Sequence, residues 1–323
     1  MKSELLHAGR EVRRRGGFGK YIVIGLLGIL GFAGISVTMS FQSDMRAARE
    51  RLARIPRQIY NSQYGAIEYY MAGSGPTVLV IHGVTGGIDQ GMLITERFLG
   101  EGYRFLYVSR FGYLGSSFPE GASAKLQAAA YSDLIDYLGI DQVFVLGNSA
   151  GGPSTLWFAI DYPMRVKGLI LHSSAAPGPV VAPPPRQLFE HDILYWAAVK
   201  VAPDMLIGLL LPKEIRATLS DQERQSLVQD VFLAALPVSE RARGIVFDHW
   251  VSTPSVNDIP LEQIHVPVLI LQSVDDPREQ AGGAELARRI AGSQYVQLTG
   301  GHFLLRQEKL VQSAIADFVS RYK

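Results

Sequence analysis

With 323 residues, 47% of them hydrophobic and 10% aromatic, the chain is long enough for one large domain or two small ones and apolar enough to fill a core, which excludes a disordered protein. The 31 basic and 30 acidic side chains leave a formal charge of +1, and so small an excess gives no general attraction for nucleic acid or a strongly acidic partner. Cysteine is absent, so disulfides, thiolate metal sites and a cysteine nucleophile are excluded.

A basic leader over residues 1–20 carries Lys2, Arg10, Arg13, Arg14, Arg15 and Lys20. The next stretch, Tyr21 to Phe41, has no charged residue. At about 1.5 Å per residue it spans roughly the 30 Å of a bilayer core, and it is read as a transmembrane anchor. A cleaved signal peptide is the rival reading, but its apolar region is usually about 7–15 residues, and no small-x-small cleavage site follows here. Arginines flank the segment on both sides, so the positive-inside rule is nearly balanced; the basic leader ahead of a large C-terminal body favours the body on the extracytoplasmic side. Residues 42–57, rich in Arg and Ala, read as a helical stalk with a solvated basic face. A chain shortened to begin near Arg57 is therefore expected to be soluble and active.

Beyond the stalk, Gln58 to Tyr64 and Ala66 to Met71 alternate apolar and polar residues on either side of Gly65, as in a hairpin. The pattern then changes to short continuous apolar runs at Thr77–Ile81, Phe105–Val108, Val143–Leu146, Val166–Leu171 and Val268–Leu271. Such runs suit strands buried on both faces of a parallel sheet. Helical patterns at Gln90–Leu99, Ala122–Leu138, Pro153–Ile160, Gln280–Ile290 and Glu308–Tyr322 alternate with them, which predicts a doubly wound, mostly parallel α/β sheet. No internal repeat or low-complexity tract interrupts the pattern beyond Pro183-Pro184-Pro185.

Gly147-Asn148-Ser149-Ala150-Gly151 lies between a strand-like and a helix-like run. In a G-x-S-x-G turn of this kind the serine is held in a strained conformation that lifts Oγ above the sheet, and the glycines are needed where a Cβ would collide with neighbouring elements. Ser149 is thus a candidate nucleophile. Further along, His82-Gly83-Val84-Thr85-Gly86-Gly87 ends an apolar strand, Ser109 to Ser117 reads S-R-F-G-Y-L-G-S-S, Val274-Asp275-Asp276-Pro277 follows the strand at Val268, and Gly300-Gly301-His302 follows the strand-like Gln294–Leu298.

Taken together, these motifs resemble the α/β-hydrolase family from about Gln58 to the C-terminus, with one extra residue between the glycines of the R-x-G-x-G-x-S turn. The resemblance implies a nucleophile at Ser149, an acid at Asp276 rather than Asp275, a histidine base at His302, and oxyanion donors at the backbone N–H groups of Val84 and Ala150. His82 is read as a loop brace, and the other histidines as structural. No metal or organic cofactor is called for. The implied activity is that of a membrane-anchored serine hydrolase, most simply a carboxylic-ester hydrolase acting through an acyl-enzyme on a fairly apolar small molecule.

The excess of chain between Val166–Leu171 and Val268 predicts a helical cap. The expected organisation is a core of residues 58–177 and 261–323 with a cap of 178–260, built of helices near Leu188–Val199, Met205–Leu211, Gln222–Leu236 and Ser239–Val251. Carbon–carbon bond hydrolases and aminopeptidases of the same fold are the alternatives, and a non-catalytic binding protein is a third, because fold alone does not establish activity.

Overall fold

The computed structural model describes residues 4–323, with side chains from Tyr21 onward. Lys2 of the basic leader therefore lies outside the described residues, as do the side chains of Arg10, Arg13, Arg14, Arg15 and Lys20. Contacts divide the chain between Ala47 and Ala48 into two compact units. The helix α1 (Glu4–Ala53) includes the residues of the expected anchor and those of the expected stalk up to Ala53. Within it, Tyr21–Ala53 has a mean hydropathy of 2.3 over its most apolar window, none of it buried. It is the one unbroken helix among the described residues long and apolar enough to cross a membrane.

The second unit begins with the last turns of α1, where the expectation of a solvated basic face is corrected at Arg51. Its guanidinium turns inward, donating to Asp89 at 3.1 Å and to the carbonyls of Ala234 at 2.7 Å and Leu236 at 3.2 Å, while the adjacent Leu52 is only 4% exposed. Buried carbonyls need donors, and Arg51 supplies them to Ala234 and Leu236 of the helical insertion. A chain beginning at Arg57 loses both residues. It is expected to melt about 5 °C or more below one beginning at Gln42, from the burial of Leu52 alone; equal melting temperatures by differential scanning fluorimetry would contradict that packing role.

Eight strands form one sheet in the order β1-β2-β4-β3-β5-β6-β7-β8. They are β1 (Gln58–Ser62), β2 (Gly65–Gly73), β3 (Thr77–Ile81), β4 (Arg104–Val108), β5 (Val143–Asn148), β6 (Val166–His172), β7 (Val268–Ser273) and β8 (Gln294–Leu298). The β1–β2 hairpin and the β2–β4 pair are antiparallel and the other pairs parallel. In β3 the pleat sends Leu79 and Ile81 to one face, against α3 (Ala124–Tyr137), α4 (Gly152–Asp161) and α11 (Pro277–Arg289). Val78 and Val80 go to the other, against α2 (Ile88–Phe98) and α12 (Glu308–Tyr322). Apolar side chains on both faces are what the continuous runs predict.

The order reverses at β3, whose neighbours are β4 on one side and β5 on the other. Loops leaving the C-terminal ends of β3 and β5 therefore run in opposite directions, and such a switch point is the usual place for a ligand in an open α/β sheet.

Between β6 and β7 the chain is helical: α5 (Gln187–Glu190), α6 (Asp192–Val201), α7 (Pro203–Leu210), α8 (Lys213–Ala217), α9 (Asp221–Ser226) and α10 (Ala242–Phe247), with shorter turns between them. The helix expected over Leu188–Val199 is broken at His191, whose backbone is extended. The one expected over Gln222–Leu236 widens into a π-helical turn at Leu227–Phe232 and stops before Pro237, which has no N–H to continue a helix. A second π-helical turn, Asp248–Ser252, follows α10.

Candidate active site

Ser149 follows β5 directly and has φ +49°, a left-handed conformation that a residue with a Cβ adopts only where its surroundings hold it there. The flanking glycines explain how the turn fits. A Cβ on Gly151 would lie 2.7 Å from the His82 carbonyl oxygen and 2.8 Å from that of Ile81, and one on Gly147 would strike the Thr155 side chain. A 3₁₀ turn, Ser149–Gly151, leads into α4, so the serine stands at a helix N-terminus, where unsatisfied N–H groups face outward.

The loop after β3 is held from several sides. His82 is fully buried and its pKa lies well below the ordinary value, because burial disfavours the cation and the Arg110 charge adds to the effect. As a neutral ring it has one donor and one acceptor. The Arg110 backbone N–H donates to Nε2 at 3.0 Å, which makes Nδ1 the protonated nitrogen, donating to the Gly83 carbonyl at 2.7 Å. Arg110 Nη2 donates to the same carbonyl at 3.1 Å. Both contacts fix the Gly83–Val84 peptide, whose N–H belongs to Val84. On its far side the Val84 carbonyl accepts from Thr85 Oγ1 at 2.6 Å and Gln90 Nε2 at 3.2 Å, while Gln90 Oε1 accepts the Gly83 N–H at 2.7 Å. Arg110 Nη1 also donates to the Ala150 carbonyl at 3.2 Å. One guanidinium thus binds a carbonyl next to each of the two expected oxyanion donors.

His302 lies in a 3₁₀ turn after β8, preceded by Gly300 at φ +92° and Gly301 at φ +60°. Three carboxylates after β7 divide the work around it. Asp275 accepts the backbone N–H groups of Gly300 at 2.8 Å and Gly301 at 3.0 Å and so holds the histidine loop. Asp276, expected to orient the imidazole, is buried and caps α11 instead, accepting the Arg278 N–H at 2.9 Å. The carboxylate hydrogen-bonded to the imidazole is Glu279, with Oε1 2.7 Å from His302 Nδ1. Its other oxygen accepts from Gln272 Nε2 at 2.6 Å, which fixes the carboxylate against β7. The reason is geometric. Asp276 leaves the strand as the N-cap of α11, with its side chain committed to the helix end, whereas Glu279, in the first turn of the helix, has the reach to meet a ring coming from β8.

Burial pulls the His302 pKa down, but the Glu279 charge and hydrogen bond, with a smaller contribution from Asp276, outweigh it and leave the pKa above the ordinary value. A carboxylate only accepts, so Nδ1 carries the proton and Nε2 is the free base. His172, at the end of β6, braces the elbow. Its Nδ1 is 2.9 Å from Asn148 Oδ1, and its pKa falls to about 3, through burial first and the neighbouring His302 second.

Reading the sequence alone misses Glu279, Gln90 and the buried Arg110–Asp248 pair. Only Glu279 left a trace there: Asp276-Pro277-Arg278-Glu279 has the N-cap and N3 residues of a helix start, and the pattern does not reveal that the glutamate faces a histidine rather than its own helix end.

The family model for the alpha/beta hydrolase fold matches residues 76–308. Among curated proteins, the chain is 30% identical over 228 residues to an uncharacterized hydrolase of Bacillus subtilis, YcgS, covering 66% of this chain and 78% of that one. It is 32% identical over 144 residues to 2-hydroxy-6-oxononadienedioate/2-hydroxy-6-oxononatrienedioate hydrolase 1 of Dechloromonas aromatica, covering 43% of this chain and 49% of the relative, or about half its length. Among solved structures, an alpha/beta hydrolase fold protein from Nakamurella multipartita aligns with a TM-score of 0.62 at 25% identity, over 81% of this chain and 98% of that one. An esterase from Exiguobacterium antarcticum aligns with a TM-score of 0.60 at 23% identity, over 81% and 99%, and at that identity the likeness speaks to the fold alone.

Proposed function

The chain belongs to the α/β-hydrolase fold family, and from that premise we propose that it is a serine hydrolase of carboxylic esters, with Ser149 as nucleophile, His302 as general base and Glu279 as the residue that positions the imidazole. The observation that carries the proposal is the strained Ser149 turn combined with a histidine already held at Nδ1 by a carboxylate. A serine hydroxyl is a poor nucleophile at neutral pH, so it needs a base to take its proton during attack, and that base needs a partner to hold its tautomer and stabilise the cation that forms. His302 Nε2 takes the proton. The tetrahedral oxyanion falls to the N–H groups of Val84 and Ala150, each worth about 10²–10³ in rate for this type of donor. Collapse expels the alcohol, protonated by His302, and water then repeats the cycle on the acyl-enzyme. The apolar segment of α1 serves as a membrane anchor in this proposal, with the body on the extracytoplasmic side.

A second reading, hydrolysis of a carbon–carbon bond, draws on the relative from Dechloromonas aromatica, whose name specifies a dioate. Binding a dicarboxylate calls for cations free to meet it. Of the buried arginines beside the loop after β3, Arg110 is paired to Asp248 and Arg241 to Asp89, which favours an uncharged ester.

Labelling with a fluorophosphonate probe tests the serine chemistry: Ser149 is expected to be modified in the intact chain, and an unlabelled but folded protein would favour the non-catalytic alternative. Turnover of p-nitrophenyl esters of graded chain length would then establish the acyl preference. Because neutral His302 is the working base and its pKa is raised, kcat/KM should rise with pH through a midpoint above the ordinary histidine value of about 6.5. A midpoint below that value in a pH profile would contradict the assigned pair.

A further inference from the structure

We propose that Asp248, in the helical insertion, is a positioning residue for the oxyanion hole and acts through Arg110; the inference rests on the serine-hydrolase reading above. Asp248 opens the π-helical turn that follows α10, and a widened turn of this kind is frequent where a helix has to aim a side chain at a functional site. Its carboxylate and the Arg110 guanidinium are each 1% exposed and form a two-pronged pair, with Nη1 2.7 Å from Oδ1 and Nη2 on Oδ2. The Tyr113 hydroxyl donates to the same Oδ2. Arg110 itself comes from the chain just after β4, so the pair joins the insertion to the sheet.

The remaining guanidinium contacts give the pair its consequence. The same two nitrogens that meet Asp248 also donate to the Gly83 carbonyl at 3.1 Å and the Ala150 carbonyl at 3.2 Å. A peptide unit is planar, so holding the Gly83 carbonyl sets the direction of the Val84 N–H across the same bond. The Ala150 carbonyl belongs to the residue that supplies the second donor. Guanidinium geometry is a rigid fork, and a carboxylate on one side determines where its outer N–H bonds point on the other. Asp248 therefore sets the plane of Arg110, and Arg110 sets the aim of the oxyanion donors. A second arm from the insertion reinforces the loop: Arg241 donates to the Gly86 carbonyl and to both oxygens of Asp89, at 3.0 and 2.8 Å.

A purely structural ion pair and a positioning pair differ in what their removal changes. Buried ion pairs replaced as a unit by apolar side chains commonly leave stability unchanged or raised, whereas deletion of one partner leaves a charge stranded. The test compares full-length wild type, Asp248→Asn and the double replacement Arg110→Met with Asp248→Leu. Turnover is expressed per active site, counted by complete fluorophosphonate labelling, and affinity is measured for a trifluoromethyl ketone that forms a tetrahedral oxyanion adduct with the nucleophile. The double variant leaves the buried Tyr113 hydroxyl and the Ala150 carbonyl without their partner, so it is expected to melt below wild type while keeping KM within about threefold. Its kcat per labelled site should fall about 10–100-fold, part of the effect of a lost oxyanion donor, with ketone affinity reduced by a similar factor. Asp248→Asn should show the same kinetic pattern with a lower melting temperature.

If Asp248→Asn does not fold, the double variant decides. Retention of kcat per site and of ketone affinity within about twofold in a folded double variant would overturn the proposal and reduce the pair to a fold contact. If wild type fails to label at Ser149, the serine-hydrolase reading falls, and this inference with it.

Discussion

Glu279→Gln is expected to lower kcat by about 10³–10⁴, comparable to the loss when the carboxylate of a catalytic triad becomes an amide. Glutamine keeps the size and reach of the side chain, but its carboxamide can donate to Nδ1, which places the imidazole proton on Nε2, the nitrogen that accepts the Ser149 proton in the proposed mechanism. The anchoring of the side chain sharpens the effect. With Oε2 held by Gln272 Nε2 at 2.6 Å, an amide whose NH₂ faced Gln272 would clash donor against donor, so the flip that presents its NH₂ to His302 is favoured. The pH profile offers an independent readout. Glu279 is the largest influence raising the His302 pKa, so any residual activity should show its midpoint at lower pH than wild type.

The same experiment on Asp276 separates the two carboxylates. Asp276→Asn retains an N-cap acceptor for the Arg278 N–H, and it removes only the smaller electrostatic influence on His302. A kcat loss of less than about tenfold is expected. The reverse ranking, a severe effect at Asp276 and a mild one at Glu279, would return the acid to the position that family resemblance alone suggests.

Ser149→Ala should have a still larger effect, a fall in kcat of about 10⁶ when the nucleophile of a serine hydrolase is removed. The remaining oxyanion donors and binding contacts retain some acceleration over water, so the residue should be small but measurable. Folding should survive, because alanine tolerates φ +49° about as well as serine and removes only one hydroxyl. Unchanged melting temperature and unchanged membrane fractionation, alongside lost turnover, would assign the effect to chemistry.

The parts of this molecule that were legible in the sequence are those encoded locally. Thr77–Ile81 reads as a strand buried on both faces because every residue in it is apolar or β-branched, and β3 has those bounds. Gly147 and Gly151 announce the elbow because nothing larger fits beside Thr155 and the carbonyls of Ile81 and His82. Features that depend on elements distant in sequence were not legible. Asp276 and Glu279 are both acidic and three residues apart, and only the approach of the β8 loop to the first turn of α11 selects between them at His302. Arg51 reads as one basic residue among several in a helical stretch, yet Asp89 and two carbonyls from the helical insertion draw it inward. Arg110 and Asp248 carry no joint signature, since 138 positions separate them.

The most direct test of the central claim, that Ser149 carries the acyl group, is rapid-quench peptide mapping of the protein mixed with a p-nitrophenyl ester. The account predicts a burst of p-nitrophenolate approaching one equivalent per active site and an acyl adduct on the peptide containing Ser149, both absent in Ser149→Ala. Turnover by wild type with the adduct on another residue, or near-wild-type turnover by Ser149→Ala, would contradict it.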